Sequence, residues 1–151
     1  MKLLFENWRE FLLTENEVKF AGVLKLKPNQ KIIQQLREFS NTLPKEAVLL
    51  PEDRWHVTLI HQSILKPYKE QLKEMEFPGS PLVIIAPEVE ERVDEQLGRK
   101  SWVVWLKNQD DMKEYVNSIM EMVEGPPDPE PDRMFHISLA NLTGNPGDSV
   151  K

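Results

Sequence analysis

Hydrophobic and polar residues in the first part of the chain follow helical and strand-like periods in turn. Apolar residues at helical spacing predict an N-terminal helix over about residues 3–13, and a segment rich in Val and Phe predicts a strand over 18–26. Asn29 is typical of a helix N-cap and Pro44 of a helix end, so the apolar residues between them predict a second helix. A further strand is predicted over 55–61.

The rest of the chain shows a similar alternation of periods, interrupted by proline, glycine and acidic residues. In chain order the pattern predicts a short polar helix over 66–77, a strand over 82–86, a hairpin of 88–94 with 101–107 across a turn at Gly98, an amphipathic helix over 110–123, an acidic proline-rich loop over 124–132 and a last strand over 134–142.

The same order of elements occurs twice along the chain, as a comparison of the sequence with itself reveals. Residues 55–59, Trp-His-Val-Thr-Leu, fall on residues 135–139, Phe-His-Ile-Ser-Leu. In the same ungapped alignment Leu26 falls on Leu106, and apolar residues of the second helix fall on those of 110–123. The repeat predicts an α+β fold with two related strand–helix–strand halves. A chance match is the alternative, but two of only three histidines fall in register.

Composition narrows the classes of function that the chain supports. Its 151 residues, 40% of them hydrophobic, suffice for one domain with a core. The absence of cysteine excludes disulfide scaffolds, thiolate nucleophiles and cysteine-based zinc sites. No apolar run reaches membrane-spanning length, and the early Glu6 argues against a signal peptide, so we expect a cytoplasmic protein without a membrane partner. The net charge of −6 argues against a long nucleic acid partner, although a few local cations suffice for a small anion.

The twice-occurring motif places a histidine and a hydroxyl residue on one face of each strand. Residues two apart in a strand point to the same side, so His56 projects with Thr58, and His136 with Ser138. Two imidazoles that titrate near neutrality suit one proton removal and one proton donation, and hydroxyls can donate hydrogen bonds to phosphate oxygens. This set of groups favours phosphodiester cleavage.

The motifs HVTL at 56–59 and HISL at 136–139 resemble the paired signatures of the two-histidine (2H) phosphoesterase superfamily. The resemblance extends from about Phe20 to Leu142. It implies a bilobal fold around a central cleft, within one domain over 1–151 whose halves span about 18–63 and 100–142. It also implies chemistry without metal or cofactor, with the two motif histidines as the acid–base pair and the two motif hydroxyls holding the phosphate.

Within the superfamily, the short length, the acidic proline-rich loop and the closing HISLANLTGNP resemble the phage anti-CBASS nucleases, in particular those of T4-like phages. These enzymes degrade the cyclic oligonucleotide signals of a bacterial immune system, so the resemblance implies action in the host cytoplasm. It also implies that a ribose 2′-hydroxyl attacks the neighbouring 3′-phosphate, giving a 2′,3′-cyclic phosphate that water then opens. Which histidine acts first as the base stays open, as do base preference, ring size and oligomeric state.

Two other functions remain as alternatives. The first, within the same superfamily, is the opening of 2′,3′-cyclic phosphates at RNA ends, against which the acidic net charge argues. The second is a non-catalytic protein that binds or sequesters cyclic nucleotides. Binding alone does not require two titrating groups, so the presence of both histidines argues against it.

Several further residues are candidates for the site. Trp8, on the N-terminal helix, is the candidate for stacking on a base, and Arg54 shares the His56 face and could reach a phosphate. Most of the remaining tryptophans, Trp55 among them, are expected in the core. His61, five residues from His56, is predicted on the opposite face of the strand, which disfavours a zinc site. The loop 124–132 is interpreted as an extended, solvated segment, with a mobile flap over the groove as the alternative.

Overall fold

A seven-stranded antiparallel sheet with helices packed against it forms the part of the chain that the computed structural model describes, residues 16–150. The α+β class predicted from the sequence is confirmed, whereas the N-terminal helix predicted over 3–13, with Trp8, lies outside the described residues.

The described residues form seven strands and four α-helices. The strands are β1 Glu17–Ala21, β2 Val23–Lys27, β3 Val48–Leu49, β4 Val57–Ile60, β5 Glu90–Asp94, β6 Arg99–Trp105 and β7 His136–Asn141. The α-helices are α1 Gln30–Ser40, α2 Gln62–Leu65, α3 Lys69–Lys73 and α4 Gln109–Met122.

The order of the strands is symmetric about the centre of the sheet. It runs β1-β2-β4-β7-β6-β5, with the short β3 pairing with β7 as well. The two central strands pair through Val57 and Ile137, which are equivalent positions of the sequence repeat. Each central strand is therefore flanked by a hairpin from its own half of the chain, and the two motifs lie side by side.

Both hairpins carry an irregularity at the same place next to the central strands. The register of β2 against β4 shifts between Leu24 and Lys25, and that of β6 against β7 shifts between Trp102 and Val103. Lys25 pairs with Thr58, and Val103 pairs with Ser138, so Lys25 and Val103 occupy equivalent positions of the two halves. A β-bulge of this kind re-aims the neighbouring side chains, here those of the motif strands.

The structure corrects the ungapped alignment of the two halves. In the pairing register Leu26 corresponds to Val104, not to Leu106, because Leu26 and Val104 are the partners of the central Val57 and Ile137. The N-cap of α1, Asn29, likewise corresponds to the N-cap of α4, Asn108, although the ungapped alignment assigns it to Gln109. The connection from flanking strand to helix is therefore one residue longer in the second half than in the first. The ungapped alignment is correct for the two motif strands but not for the strands that flank them.

One predicted strand is a hairpin. The segment 18–26 reads as continuous because its apolar composition is uniform, but Gly22 adopts φ 79° and turns the chain between β1 and β2. A positive φ is accessible to glycine at little cost, so a single residue suffices for the reversal.

Two other predictions in the middle of the chain were wrong in extent or type. The segment 82–86 is not a strand, since only Ile85 forms an isolated bridge, to Leu106. The polar helix predicted over 66–77 consists of short helical pieces over 62–73, interrupted at a 3₁₀ turn that contains Pro67, which has no amide hydrogen to donate. By contrast, the hairpin across Gly98 and the helix predicted over 110–123 are confirmed as β5–β6 and α4.

The core lies between the helices and one face of the sheet. Alternate residues of the central strands, Val57, Leu59, Ile137 and Leu139, are almost completely buried among apolar residues of α1 and α4. The intervening motif residues therefore face the other side of the sheet, away from these helices. Among the described residues, no helix has the length and apolar character needed to cross a membrane.

Candidate active site

A groove of about 780 Å³ lies over the central strands on the face of the sheet opposite the core. His56, Thr58, His136 and Ser138 all line it. Since β4 and β7 run antiparallel and pair at Val57 and Ile137, the register places His56 beside Ser138 and Thr58 beside His136. The four residues predicted from the sequence are thus brought together in one groove.

His56 is held in a defined tautomer. Its Nδ1 lies 2.7 Å from the carbonyl oxygen of Arg54, and because a carbonyl only accepts, Nδ1 must carry the hydrogen. This leaves Nε2 as the proton acceptor of the neutral ring. Burial lowers the pKa of His56, and the positive charges of Lys25, Arg54 and Lys27 lower it further, against the opposing effect of the Arg54 carbonyl.

The surroundings of His136 lower its pKa more strongly than those of His56 lower the pKa of that ring. Its ring meets Trp105 in an edge-to-face contact, with centroids 5.3 Å apart, and its buried Nδ1 makes no hydrogen bond of good geometry to any described residue. Burial is the main reason that the pKa of His136 falls to about 4, and the charges of Arg92 and Arg133 lower it further. The Met134 carbonyl, the counterpart of the Arg54 carbonyl in the other half, acts in the opposite direction.

Both histidines are therefore neutral in the free protein at neutral pH, and three arginines, Arg54, Arg92 and Arg133, line the groove around them. An anion bound here offsets the arginine charges and favours the protonated form of a histidine. An anionic substrate would then meet one histidine able to donate a proton and another able to accept one, with two hydroxyls between them.

The prediction that His61 lies on the opposite face was wrong. Strand β4 ends at Ile60, so the alternation does not continue, and His61 stands at the N-cap of α2 and lines the same groove. Its Nδ1 pairs with the carboxylate of Glu130. Within residues 16–150, no three His, Cys, Asp or Glu side chains are arranged to hold a metal ion.

The tryptophans divide between the core and the groove. Trp55 is buried as predicted, and its Nε1 donates to the carbonyl of Leu139 at 3.2 Å. Trp102 also belongs to the core, whereas Trp105 lines the groove, with its Nε1 bonded to Glu90. Arg54 lines the groove as predicted.

Most residues of the acidic loop 124–132 are exposed, as predicted, but the loop is also anchored beside the groove by specific contacts. The amide of Asp128 donates to the side chain of Asn117 on α4 at 2.7 Å, and Glu130 contacts both His61 and Arg133. The Glu130 side chain is only 25% exposed. The predicted exposure to solvent is confirmed for most of the loop, whereas these contacts fix Asp128 on α4 and Glu130 beside β4.

The C-terminal residues form one wall of the groove. Asn141, fully buried, accepts from the amides of Thr143 and Gly144 and donates to the carbonyl of Asn145 and the hydroxyl of Ser149. The hydroxyl of Ser101, also fully buried, accepts from the amide of Val150 at 2.7 Å. These bonds bring residues 146, 149 and 150 to the groove.

Sequence reasoning missed Arg92 and Arg133, and it did not decide which of Trp102 and Trp105 lies in the core. Each lies outside the two four-residue motifs and has no counterpart of its own kind in the other half, so the repeat contained no signal for it. The one signal that the sequence offered was that Trp105 ends a strand flanking the second motif strand.

Comparison of the chain with models of known protein families, with curated proteins and with solved structures found no match in any of the three.

Proposed function

We propose that the chain is a metal-independent phosphodiesterase of the two-histidine kind that cleaves 3′–5′ bonds in cyclic di- or trinucleotides. The observation that carries the proposal is the convergence of two His–hydroxyl pairs, from equivalent positions of the sequence repeat, in one groove. The symmetric strand order and the repeated bulge support the bilobal arrangement of that superfamily.

In the proposed reaction the 2′-oxygen of a ribose attacks the neighbouring 3′-phosphorus while the bond to the 5′-oxygen breaks. One histidine takes the proton of the 2′-hydroxyl, and the other gives a proton to the departing 5′-oxygen, so charge and atoms balance. Thr58 and Ser138 donate hydrogen bonds to the non-bridging oxygens, where negative charge grows in the transition state. Water then opens the 2′,3′-cyclic phosphate with the histidine roles reversed.

The size and charge of the groove support a small anionic substrate. A volume of about 780 Å³ is typical of pockets that hold one small ligand. The chain has a net charge of −6, yet the groove gathers three arginines and one carboxylate, that of Asp132, and one of the arginines, Arg133, pairs with Glu130. The excess of positive charge in the groove is therefore local. A cyclic dinucleotide or trinucleotide presents two or three phosphates and needs no extended basic surface.

The biological role we propose follows from the resemblance of the motifs and the closing segment to the phage anti-CBASS nucleases. In that role the protein removes cyclic oligonucleotide signals in the cytoplasm of an infected bacterium and so protects the phage from the CBASS response.

The proposal is tested with purified protein and a panel of cyclic dinucleotides, cyclic trinucleotides and RNA with 2′,3′-cyclic ends. The decisive pair is a ribose cyclic dinucleotide and its 2′-deoxy counterpart, with products identified by mass. We expect a linear product ending in a 2′,3′-cyclic or 3′-phosphate from the first and no product from the second, because an attacking group held beside phosphorus gains greatly in effective concentration. The H56A/H136A double variant is the control for contaminating nucleases.

Each other outcome of this experiment contradicts a specific part of the proposal. Equal cleavage of both cyclic dinucleotides, or products with 5′-phosphates, would mean direct attack by water. Turnover only of RNA ends would replace the substrate class. Tight binding without any cleavage would identify a sequestering protein.

A further inference from the structure

The two halves of the fold satisfy one pair of equivalent carbonyls in different ways. The bulges leave Leu59 in β4 and Leu139 in β7 without a register partner on the flanking strand. The Leu139 carbonyl accepts from the amide of Leu50 at 2.9 Å and from Nε1 of Trp55 at 3.2 Å. The Leu59 carbonyl accepts from the guanidinium of Arg133 at 3.3 Å.

The difference follows from the residue that precedes each motif histidine. Trp55 precedes His56 and has an indole N–H, but Phe135 precedes His136 and has no donor. Arg133 packs over the Phe135 ring, 5.4 Å from its centroid, and its guanidinium donates to the Leu59 carbonyl in place of an indole N–H. The charged guanidinium of Arg133, which lines the groove, thus donates to the carbonyl in one half, as the neutral, buried indole of Trp55 does in the other half.

The contacts of Arg133 fix its orientation. Besides the Leu59 carbonyl, the guanidinium donates to the carbonyl of Thr58, and it pairs with Glu130 at 3.0 Å. Only 12% of the Arg133 side chain is exposed. A planar guanidinium with several fixed donors can hold two successive carbonyls at once, which a single ammonium cannot do with the same geometry.

We propose that Arg133 is a positioning residue that sets the place of Thr58 in the groove by clamping the Thr58 and Leu59 carbonyls of β4, with Glu130 holding the clamp in orientation. This deepens the proposed function and rests on it, because Thr58 is one of the two hydroxyls assigned to the phosphate. It also accounts for the placement of the loop 124–132, whose Glu130 orients the guanidinium.

The effect of the Arg133 charge can be separated from the effect of its hydrogen bonds to β4, because Arg92 has the same charge near His136 but makes no such hydrogen bonds. Arg92 and Arg133 both face His136, together with His56 and the Trp105 ring. Arg92 lies over the Trp105 ring at 5.6 Å, and within residues 16–150 the Thr58 and Leu59 carbonyls have Arg133, not Arg92, as their side-chain donor. R133K keeps the charge and loses the bidentate clamp, whereas R92M loses a charge and leaves the clamp intact.

The experiment compares wild type, R133K and R92M by backbone and histidine NMR and by steady-state kinetics over pH. In R133K we expect the amide signals of residues 58–60 to move, kcat to fall roughly tenfold or more with a smaller change in KM, and the titration of His136 to stay in place. In R92M we expect the converse: the titration of His136, and the limb of the pH profile that follows it, move to higher pH, while the amides of 58–60 keep their positions.

Identical amide signals and kcat in R133K and wild type would overturn the proposal, as would equal movement of the β4 amides in the two variants. The NMR measurements do not require turnover. If the wild-type protein cleaves none of the substrates, the proposed function fails, while the amide signals of β4 still decide whether Arg133 clamps this strand.

Discussion

His56 and His136 occupy equivalent positions of the repeat but have different electrostatic surroundings. Each ring faces a backbone carbonyl two residues earlier in the chain, yet only His56 makes a well-formed hydrogen bond to it. His136 is instead flanked by Trp105 and two arginines, and its pKa is about 4. The pair is therefore chemically unequal before substrate binds, which a symmetric sequence motif does not reveal.

Replacement of either histidine tests the proposed acid–base pair. We expect H56A and H136A each to reduce turnover of the ribose cyclic dinucleotide by at least ~10²-fold, because each removes one proton transfer. K69A, at an exposed position of α3, is the matched surface control and should keep wild-type activity. Near-full activity in either histidine variant, with unchanged circular dichroism, would contradict the pairing.

The low pKa of His136 also predicts a pH dependence of stability. A histidine of pKa about 6.5 in the unfolded chain and about 4 in the folded protein binds more protons when unfolded between these pH values, so stability falls as pH decreases. We expect the group to account for a loss on the order of 2 kcal/mol in unfolding free energy between pH 7 and pH 5.

Urea unfolding of wild type and H136N at the two pH values measures this contribution. The variant should lose less stability on acidification, though not zero, because the pKa of His56 is lowered as well. An equal loss in both proteins would show that His136 titrates normally in the folded state.

At the residue scale, strand-like alternation was sufficient to place the four motif residues, including His56, which lies one residue before β4. His61 was misplaced because alternation has no meaning beyond Ile60, where the chain begins α2. Arg133 could not be found, because its role depends on a carbonyl of a strand distant in sequence and on the lack of a donor in Phe135.

The hairpin β1–β2 shows how one residue decides an element. Composition predicts a continuous strand over 18–26, and only the positive φ of Gly22 divides it. Helices α1 and α4 and the second hairpin were predictable because their periodicity and Gly98 agree with the final structure. The segment 82–86 has strand-like composition, but its pairing is confined to one isolated bridge. Ile85 lies opposite Leu106, the amide of Ala86 donates to the Trp105 carbonyl at 2.8 Å, and the amide of Lys107 donates to the Ile84 carbonyl at 2.7 Å.

Substitution of Gly22 tests this interpretation at the level of the element. We expect G22A to lower the unfolding free energy by about 1–2 kcal/mol, because an alanine at φ 79° is strained although there is space for its Cβ. G79A is the matched control, since Gly79 has no positive φ and, apart from its chain neighbours, no residue lies within 4 Å of the place that an added Cβ would take. Equal unfolding midpoints in urea for the two variants would contradict a turn that depends on glycine.

At the scale of the whole molecule, the negative net charge and the basic groove are compatible because they act over different distances. Salt screens charges about 10 Å apart at ordinary ionic strength, so a bound anion is affected mainly by the charged groups of the groove, three arginines and Asp132. The composition determines the sign of the total charge, but the clustering of Arg54, Arg92 and Arg133 depends on the fold.

Chelation tests the proposed chemistry of the complete protein. We expect turnover of the cyclic dinucleotide to be unchanged in excess EDTA, because proton transfer and phosphate binding are assigned to side chains alone. Loss of activity that added zinc or manganese restores would instead identify a metal-dependent phosphodiesterase. H56A in the same buffer is the control for background hydrolysis.

The pairing of Val57 with Ile137 has a consequence for how the protein folds. Strands β1 and β2 are joined by Gly22 alone and form contacts of short sequence separation, whereas β4 and β7 meet only after the long segment between Ile60 and His136 has closed into a loop. Closure of a long loop carries an entropic cost that local hairpins do not have. We therefore expect pulsed hydrogen exchange during refolding to protect the amides of β1–β2 before those of β4 and β7, so that the groove is the last part of the molecule to assemble.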